Sequence, residues 1–174
     1  MRDPEAKIMD AAALAAWRAE LRRQGCRLVM TNGCFDILHR GHASYLHRAR
    51  LLGDALLVAV NSDATVRQLK GPTRPVNHEA DRSWLLAALE AVDAVVVFDT
   101  LRVTPLLEQV QPDIYVKGGD YTVESIPQDE RRAAEAGGAR IVFLPFVEGH
   151  STTRVIRRIH GGGGGAGGGD AVMQ

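Results

Sequence analysis

Several features that would each mark a function class are scarce or missing in this 174-residue chain. Cysteine is rare, present only as Cys26 and Cys34. Their spacing fits no metal or redox motif, and two thiols build no disulfide framework. Both are expected as small buried apolar residues in a reducing compartment. An excess of one charge is also missing: Lys plus Arg and Asp plus Glu total 21 each, so the formal net charge is zero. Broad binding to nucleic acid or a membrane surface usually shows as a basic excess, so neither is expected, whereas a local cationic pocket is compatible. No apolar run reaches the roughly 18 residues of a membrane span. The start, Met1-Arg2-Asp3-Pro4-Glu5, carries acidic residues rather than a secretory leader, and the expected location is the cytoplasm. Two nucleotide signatures are absent as well. No Gly-x-Gly-x-x-Gly follows the first strand and no Walker A lysine occurs, which disfavours dehydrogenases and P-loop enzymes.

What remains is an ordinary soluble composition, 45% apolar and 24% charged, in a length that suits one domain. The stretch from Gly161 to Gly169 is almost all glycine and cannot recover its ordering entropy. The folded unit is therefore expected over 1–160, with a disordered tail over 161–174. Within it, short apolar runs alternate with helical patterns. Strands are expected at Cys26–Thr31, Ala55–Asn61, Ala94–Phe98, Asp113–Lys117 and Arg140–Leu144. Helices are expected near 11–24, 42–52, 78–89 (capped by Asn77), from Thr104-Pro105, from Ser125 to Gly137-Gly138, and over 152–159 behind a Ser151 cap. Gly53 is expected as a left-handed helix C-cap. Strands apolar on both faces and separated by helices imply an α/β fold, a Rossmann-like doubly wound parallel sheet of five strands. Ligands then bind beyond the strand C-termini, where strand order reverses.

Motifs fall at that edge. After the first strand comes Thr31-Asn32-Gly33-Cys34-Phe35-Asp36, then His39-Arg40-Gly41-His42. Two histidines three residues apart share a face at a helix start, where free N–H groups and the dipole favour phosphate. Gly41 between them permits close backbone approach. Taken alone, His-x-Gly-His also fits two surface or capping histidines. Ser151, Thr152 and Thr153 place hydroxyls at the start of the last helix, as a plain cap or as a holder of outer phosphates. Lys70 is expected in a Gly/Pro loop with Arg74. Arg82 reads equally as a solvated residue or a phosphate clamp. Lys117 and Asp120 follow the fourth strand at the ligand edge.

TNGCFD with HRGH, NSD at 61–63, LKG and RPV, KGGDY and EGHSTT together resemble the cytidylyltransferase-like nucleotidyltransferases. Within these the chain is similar to the heptose 1-phosphate adenylyltransferases. The similarity runs from Leu28 to Ile159. In the glycerol- and choline-phosphate cytidylyltransferases the last motif opens with arginine; here Phe146 stands there. The resemblance implies transfer of AMP from ATP to D-glycero-β-D-manno-heptose 1-phosphate, giving ADP-heptose and pyrophosphate for the lipopolysaccharide inner core. It implies His39, His42 and Lys70 as catalytic groups. Thr31, Asn32, Gly33, Phe35, Gly41, His42, Lys117, Gly118, Ser151, Thr152 and Thr153 would bind the nucleotide. Asp36, Asn61, Asp63, Arg74, Arg82, Lys117 and Asp120 would bind the acceptor. Mg²⁺ would arrive with ATP and without a direct protein ligand, and the protein would be a homodimer. Competing readings are a cytidylyltransferase acting on glycerol 3-phosphate or a similar phosphorylated alcohol, and a nucleotide-binding regulatory module without turnover. A tRNA synthetase fragment is disfavoured by the neutral charge.

Overall fold

The structure, a computed structural model, describes residues 2–119, 121–122, 124–145 and 152–161. Five strands form one parallel sheet: β1 (Leu28–Gly33), β2 (Ala55–Asn61), β3 (Ala94–Phe98), β4 (Ile114–Gly118) and β5 (Arg140–Leu144). Their order is β3-β2-β1-β4-β5, so strand order reverses between β1 and β4. That reversal opens a crevice at the strand C-termini, where doubly wound sheets bind ligands.

Helices cover both faces: α1 (Ala11–Arg23), α2 (Arg40–Arg50), α3 (Asp63–Lys70), α4 (Glu79–Ala87), α5 (Thr104–Val110), α6 (Gln128–Ala136) and α7 (Thr152–Gly161). The two-residue period of a strand divides the core. Leu28, Met30, Leu57 and Tyr115 pack with Leu14, Leu107 and Ala134 on one side, while Val29, Val58, Val60 and Val116 pack with Leu46 and Leu86 on the other. All seven positions of β2 are buried, which accounts for its unbroken apolar run.

The expected sheet and all six expected helices recur with shifts of a few residues. One helix, α3, was not expected at all. Ser62 caps it by accepting from the Thr65 N–H at 3.3 Å, and Val66 buries its inner face. Lys70 therefore ends a helix rather than lying in a loop. Asn77 does not cap α4. Its side chain donates instead to the Asp36 carbonyl at 2.8 Å, leaving His78 at the N-cap. Ser125 lies ahead of α6, accepting from the Thr122 N–H at 2.8 Å. Gly53 is not left-handed; a Cβ there would lie 2.7 Å from Val29 Cγ2 and 2.8 Å from the Arg27 carbonyl oxygen. Close packing rather than capping requires that glycine. Cys26 and Cys34 are free and only half-buried.

Candidate active site

The chain leaves β1 through Gly33 and turns sharply at Phe35, which takes a left-handed φ of 46°. A Cβ at residue 33 would sit 3.0 Å from Phe35 Cε2, so a larger residue there would push against the ring. The buried Phe35 ring meets His42 edge to face, with centroids 5.3 Å apart. His39 caps α2 through its backbone, and its ring stacks on His42 at 3.9 Å. Burial, and then the His39 ring, lower the His42 pKa to about 4. His42 is therefore a neutral imidazole at pH 7 in the free protein.

A cavity of about 700 Å³ opens over this turn. Asn32, Gly33, Phe35 and His42 line it from the β1–α2 side; Lys117 and Gly118 line it from β4, and Thr152 from the start of α7. Lys70 and Arg74 join from the segment after β2, together with Asp36 and Asn61. The reversal of strand order thus brings together most of the residues expected from sequence. Thr31 lies beneath the floor, its hydroxyl 2.6 Å from that of Tyr45. Gly41 is buried in the first turn of α2. Asp120, Ser151 and the Thr153 side chain lie outside the described residues.

Two acceptor residues expected from sequence occupy a different place. Arg82 is fully buried and does not line the cavity. Its guanidinium donates to the carbonyls of Cys34 (2.6 Å), Asn61 (2.8 Å) and Asn77 (3.0 Å), and to Asp63 Oδ1 at 2.8 Å. Asp63 also faces His78 Nδ1 at 3.0 Å and, among the described residues, accepts from no cavity group. These hydrogen bonds hold its carboxyl below the usual carboxylate range in spite of burial. Arg82 and Asp63 therefore fasten the ends of β1 and β2 to α4 from behind. Asp36 does line the cavity, but its carboxylate is already engaged. Arg74 Nε lies 2.6 Å from Oδ2, and the Val76 and Asn77 N–H groups donate to Oδ1 at 2.7 and 3.1 Å.

On the opposite wall stands a group that sequence reading missed. Lys117, nearly buried, lies 2.6 Å from Glu130 Oε2 of α6 and donates to Asn32 Oδ1 at 2.9 Å. Tyr115 reaches the same two acceptors. Tyr115 was legible as a same-face neighbour of Lys117 on β4, two residues away; Glu130 carried no local signal. Leu101, Arg102 and Tyr121 complete this wall, all exposed. Arg74 and Lys117 are thus neutralised by carboxylates, while Lys70 and Arg102 have no ion pair among the described residues. A cavity with helix starts, stacked imidazoles and two uncompensated cations suits a ligand with more than one phosphate.

A family model described as cytidylyltransferase-like matches residues 30–158, which include every wall of this cavity. The chain belongs to the cytidylyltransferase-like family. It is accordingly a nucleotidyltransferase. Curated relatives carry the name Bifunctional protein HldE. Those from Geotalea uraniireducens and Citrifermentans bemidjiense are 49% and 46% identical over 92% and 91% of this chain. The chain spans about a third of the length of these relatives, 32% in both cases. Among solved structures, a lipopolysaccharide core biosynthesis protein from Thermoplasma volcanium is 31% identical, with a TM-score of 0.58 over 71% of this chain and 98% of that one. A pantoate–β-alanine ligase from Francisella tularensis, 16% identical, superposes with a TM-score of 0.53 over 79% of this chain and 66% of its own, which speaks to the fold alone. No helix among the described residues is long and apolar enough to cross a membrane.

Proposed function

We propose that this cytidylyltransferase-like chain moves AMP from ATP to D-glycero-β-D-manno-heptose 1-phosphate, forming ADP-heptose and pyrophosphate. The single observation that carries nucleotidyl transfer is the cavity itself, where His42 (with His39 stacked on it outside the lining), Lys70 and the start of α7 converge at the reversal of strand order. The heptose acceptor is supported by the HldE relatives and by the lipopolysaccharide core protein of similar fold.

In the reaction a phosphate oxygen of the sugar 1-phosphate attacks the α-phosphorus of ATP. The new O–P bond forms as the bond to the β-phosphate oxygen breaks, and that oxygen leaves as pyrophosphate. The protein's task is positioning and charge neutralisation. His42 and His39 bind the triphosphate at the start of α2. Thr152 adds the first turn of α7 to the same phosphates, with Ser151 and Thr153 as its neighbours in the chain. Lys70, exposed and unpaired among the described residues, meets charge on the transferring or leaving phosphates. Lys117 and Asn32 face it from the other wall, while Asp36 holds Arg74 rather than taking a sugar hydroxyl. Among the described residues the carboxylates that line the cavity, Asp36 and Glu130, are both ion-paired, and Mg²⁺ would arrive with ATP to neutralise phosphate charge.

Pyrophosphate release with D-glycero-β-D-manno-heptose 1-phosphate, comparing ATP with CTP, tests this reading. Release with ATP and little with CTP is expected. CTP-dependent release with glycerol 3-phosphate instead would reassign both substrates and keep the chemistry.

A further inference from the structure

Together with Lys117 and Asn32, Glu130 and Tyr115 form a closed set of polar groups, and these last two have no part in the mechanism above. Glu130 projects from α6 and Lys117 from the end of β4, and both are more than nine-tenths buried. Their charged atoms lie 2.6 Å apart. Asn32, at the end of β1, accepts from Lys117 Nζ at 2.9 Å. The Tyr115 hydroxyl lies 2.8 Å from Asn32 Oδ1 and 2.9 Å from Glu130 Oε2, its one proton available to either.

This arrangement removes the usual ambiguity of an amide. An ammonium has donors only, so the Asn32 atom that faces it is the oxygen. The amide NH₂ is then left to the cavity that Asn32 lines. Without the Glu130 carboxylate, Lys117 would be a buried charge with no ion-pair partner among the described residues, and a buried amine in that condition gives up its proton more readily. A neutral amine presents a lone pair, and that lone pair accepts from the Asn32 NH₂ as readily as its N–H groups donate to the oxygen. The amide would then have no fixed direction.

We propose that Glu130 is a positioning residue for nucleotidyl transfer: it keeps the Lys117 ammonium in place and thereby turns the Asn32 amide so that both aim donors at substrate phosphate in the cavity. Its effect passes through Lys117 and Asn32, and Glu130 itself touches no reacting atom. The inference rests on nucleotidyl transfer in this cavity and not on the identity of the acceptor. Among the described residues, the charged and titratable groups around Lys117 are Glu130 and Asp129 on α6, Arg102 ahead of α5, Tyr115 on β4 and Tyr121 beyond it. Burial lowers the Lys117 pKa, and Glu130 is the largest influence that raises it. Removal of the Glu130 charge therefore moves deprotonation of Lys117 to lower pH.

The test compares wild type, Glu130→Gln and Glu130→Asp by kcat/KM for pyrophosphate release between pH 6 and 10. Circular dichroism and melting temperature report on folding. Glu130→Gln is expected to lose on the order of 10²-fold in kcat/KM at neutral pH, the scale of a lost preorganised donor. Its alkaline limb should move to lower pH by at least one unit. Glu130→Asp keeps the charge and should leave that limb within half a unit of wild type while lowering kcat. A folded Glu130→Gln with the wild-type limb and activity within threefold overturns the proposal. If Glu130→Gln does not fold, Glu130→Asp decides: a displaced alkaline limb, or an unchanged kcat, overturns it. Should wild type turn over neither the heptose phosphate nor glycerol 3-phosphate, the acceptor reading fails by itself. Binding of MgATP over the same pH range then replaces turnover, and a pH dependence identical in wild type and Glu130→Gln overturns the positioning role.

Discussion

His42 is uncharged at neutral pH because burial and the adjacent His39 ring hold its pKa at about 4. A bound triphosphate acts in the opposite direction, since a nearby anion favours the imidazolium. Binding should therefore raise the pKa and take up a proton, so the His42 contribution to ATP affinity grows as pH falls from the bound-state pKa toward about 4. NMR titration of the imidazole C–H signals with and without ATP checks both values; a His42 midpoint that ATP leaves in place would remove the ring from the phosphate site. His42→Ala is expected to lower kcat by about 10²–10³-fold, as for loss of one charge-stabilising donor. A folded variant within fivefold of wild type would exclude a catalytic part for His42. The histidine pair was legible in the sequence because its spacing, the preceding strand and the helix start agreed with one another. Arg82 was not, because three of its four acceptors, on Cys34, Asn61 and Asp63, lie 48, 21 and 19 residues away.

Among elements, the sheet was legible and the link between β2 and α4 was not. Unbroken apolar runs such as Ala55–Asn61 announce strands buried on both faces. The eight residues of α3 carry only a Ser62 cap and a short inner face of Thr65 and Val66, too little periodicity to outweigh the Gly71-Pro72 that follows. Glu130 was missed for a related reason. Its partners Tyr115 and Lys117 are 15 and 13 residues away on another element, and no local pattern encodes that meeting. The Arg82 fastening makes its own prediction at this scale. Arg82→Ala strands Asp63 and three carbonyls, and should cost about 3–5 kcal/mol, the range for breaking a buried ion pair. Urea unfolding measures this; a loss below about 1 kcal/mol would show that water replaces the guanidinium.

For the whole molecule, the cavity draws its walls from β1, β4, α3, α6 and α7, so occupancy should stabilise the complete fold. ATP at a hundred times its Kd adds about 2.7 kcal/mol, or roughly 5–10 °C in Tm for a protein of this size. Differential scanning fluorimetry with magnesium should show that rise for ATP and a smaller one for CTP; equal shifts would argue against adenine preference. Removal of the glycine-rich residues 162–174 should leave both Tm and kcat/KM unchanged, as their composition promises no buried surface. The two walls of the cavity also differ in how much change they tolerate. Asp36 and Arg74 on one side are tied into the Asp63–Arg82 fastening through Asn77, so substitution there disturbs three loops together. Leu101 and Arg102 on the other side are exposed, and their side chains make no hydrogen bond or ion pair among the described residues. A library directed at altered acceptor choice should therefore randomise positions 101 and 102, where diversity leaves the scaffold intact.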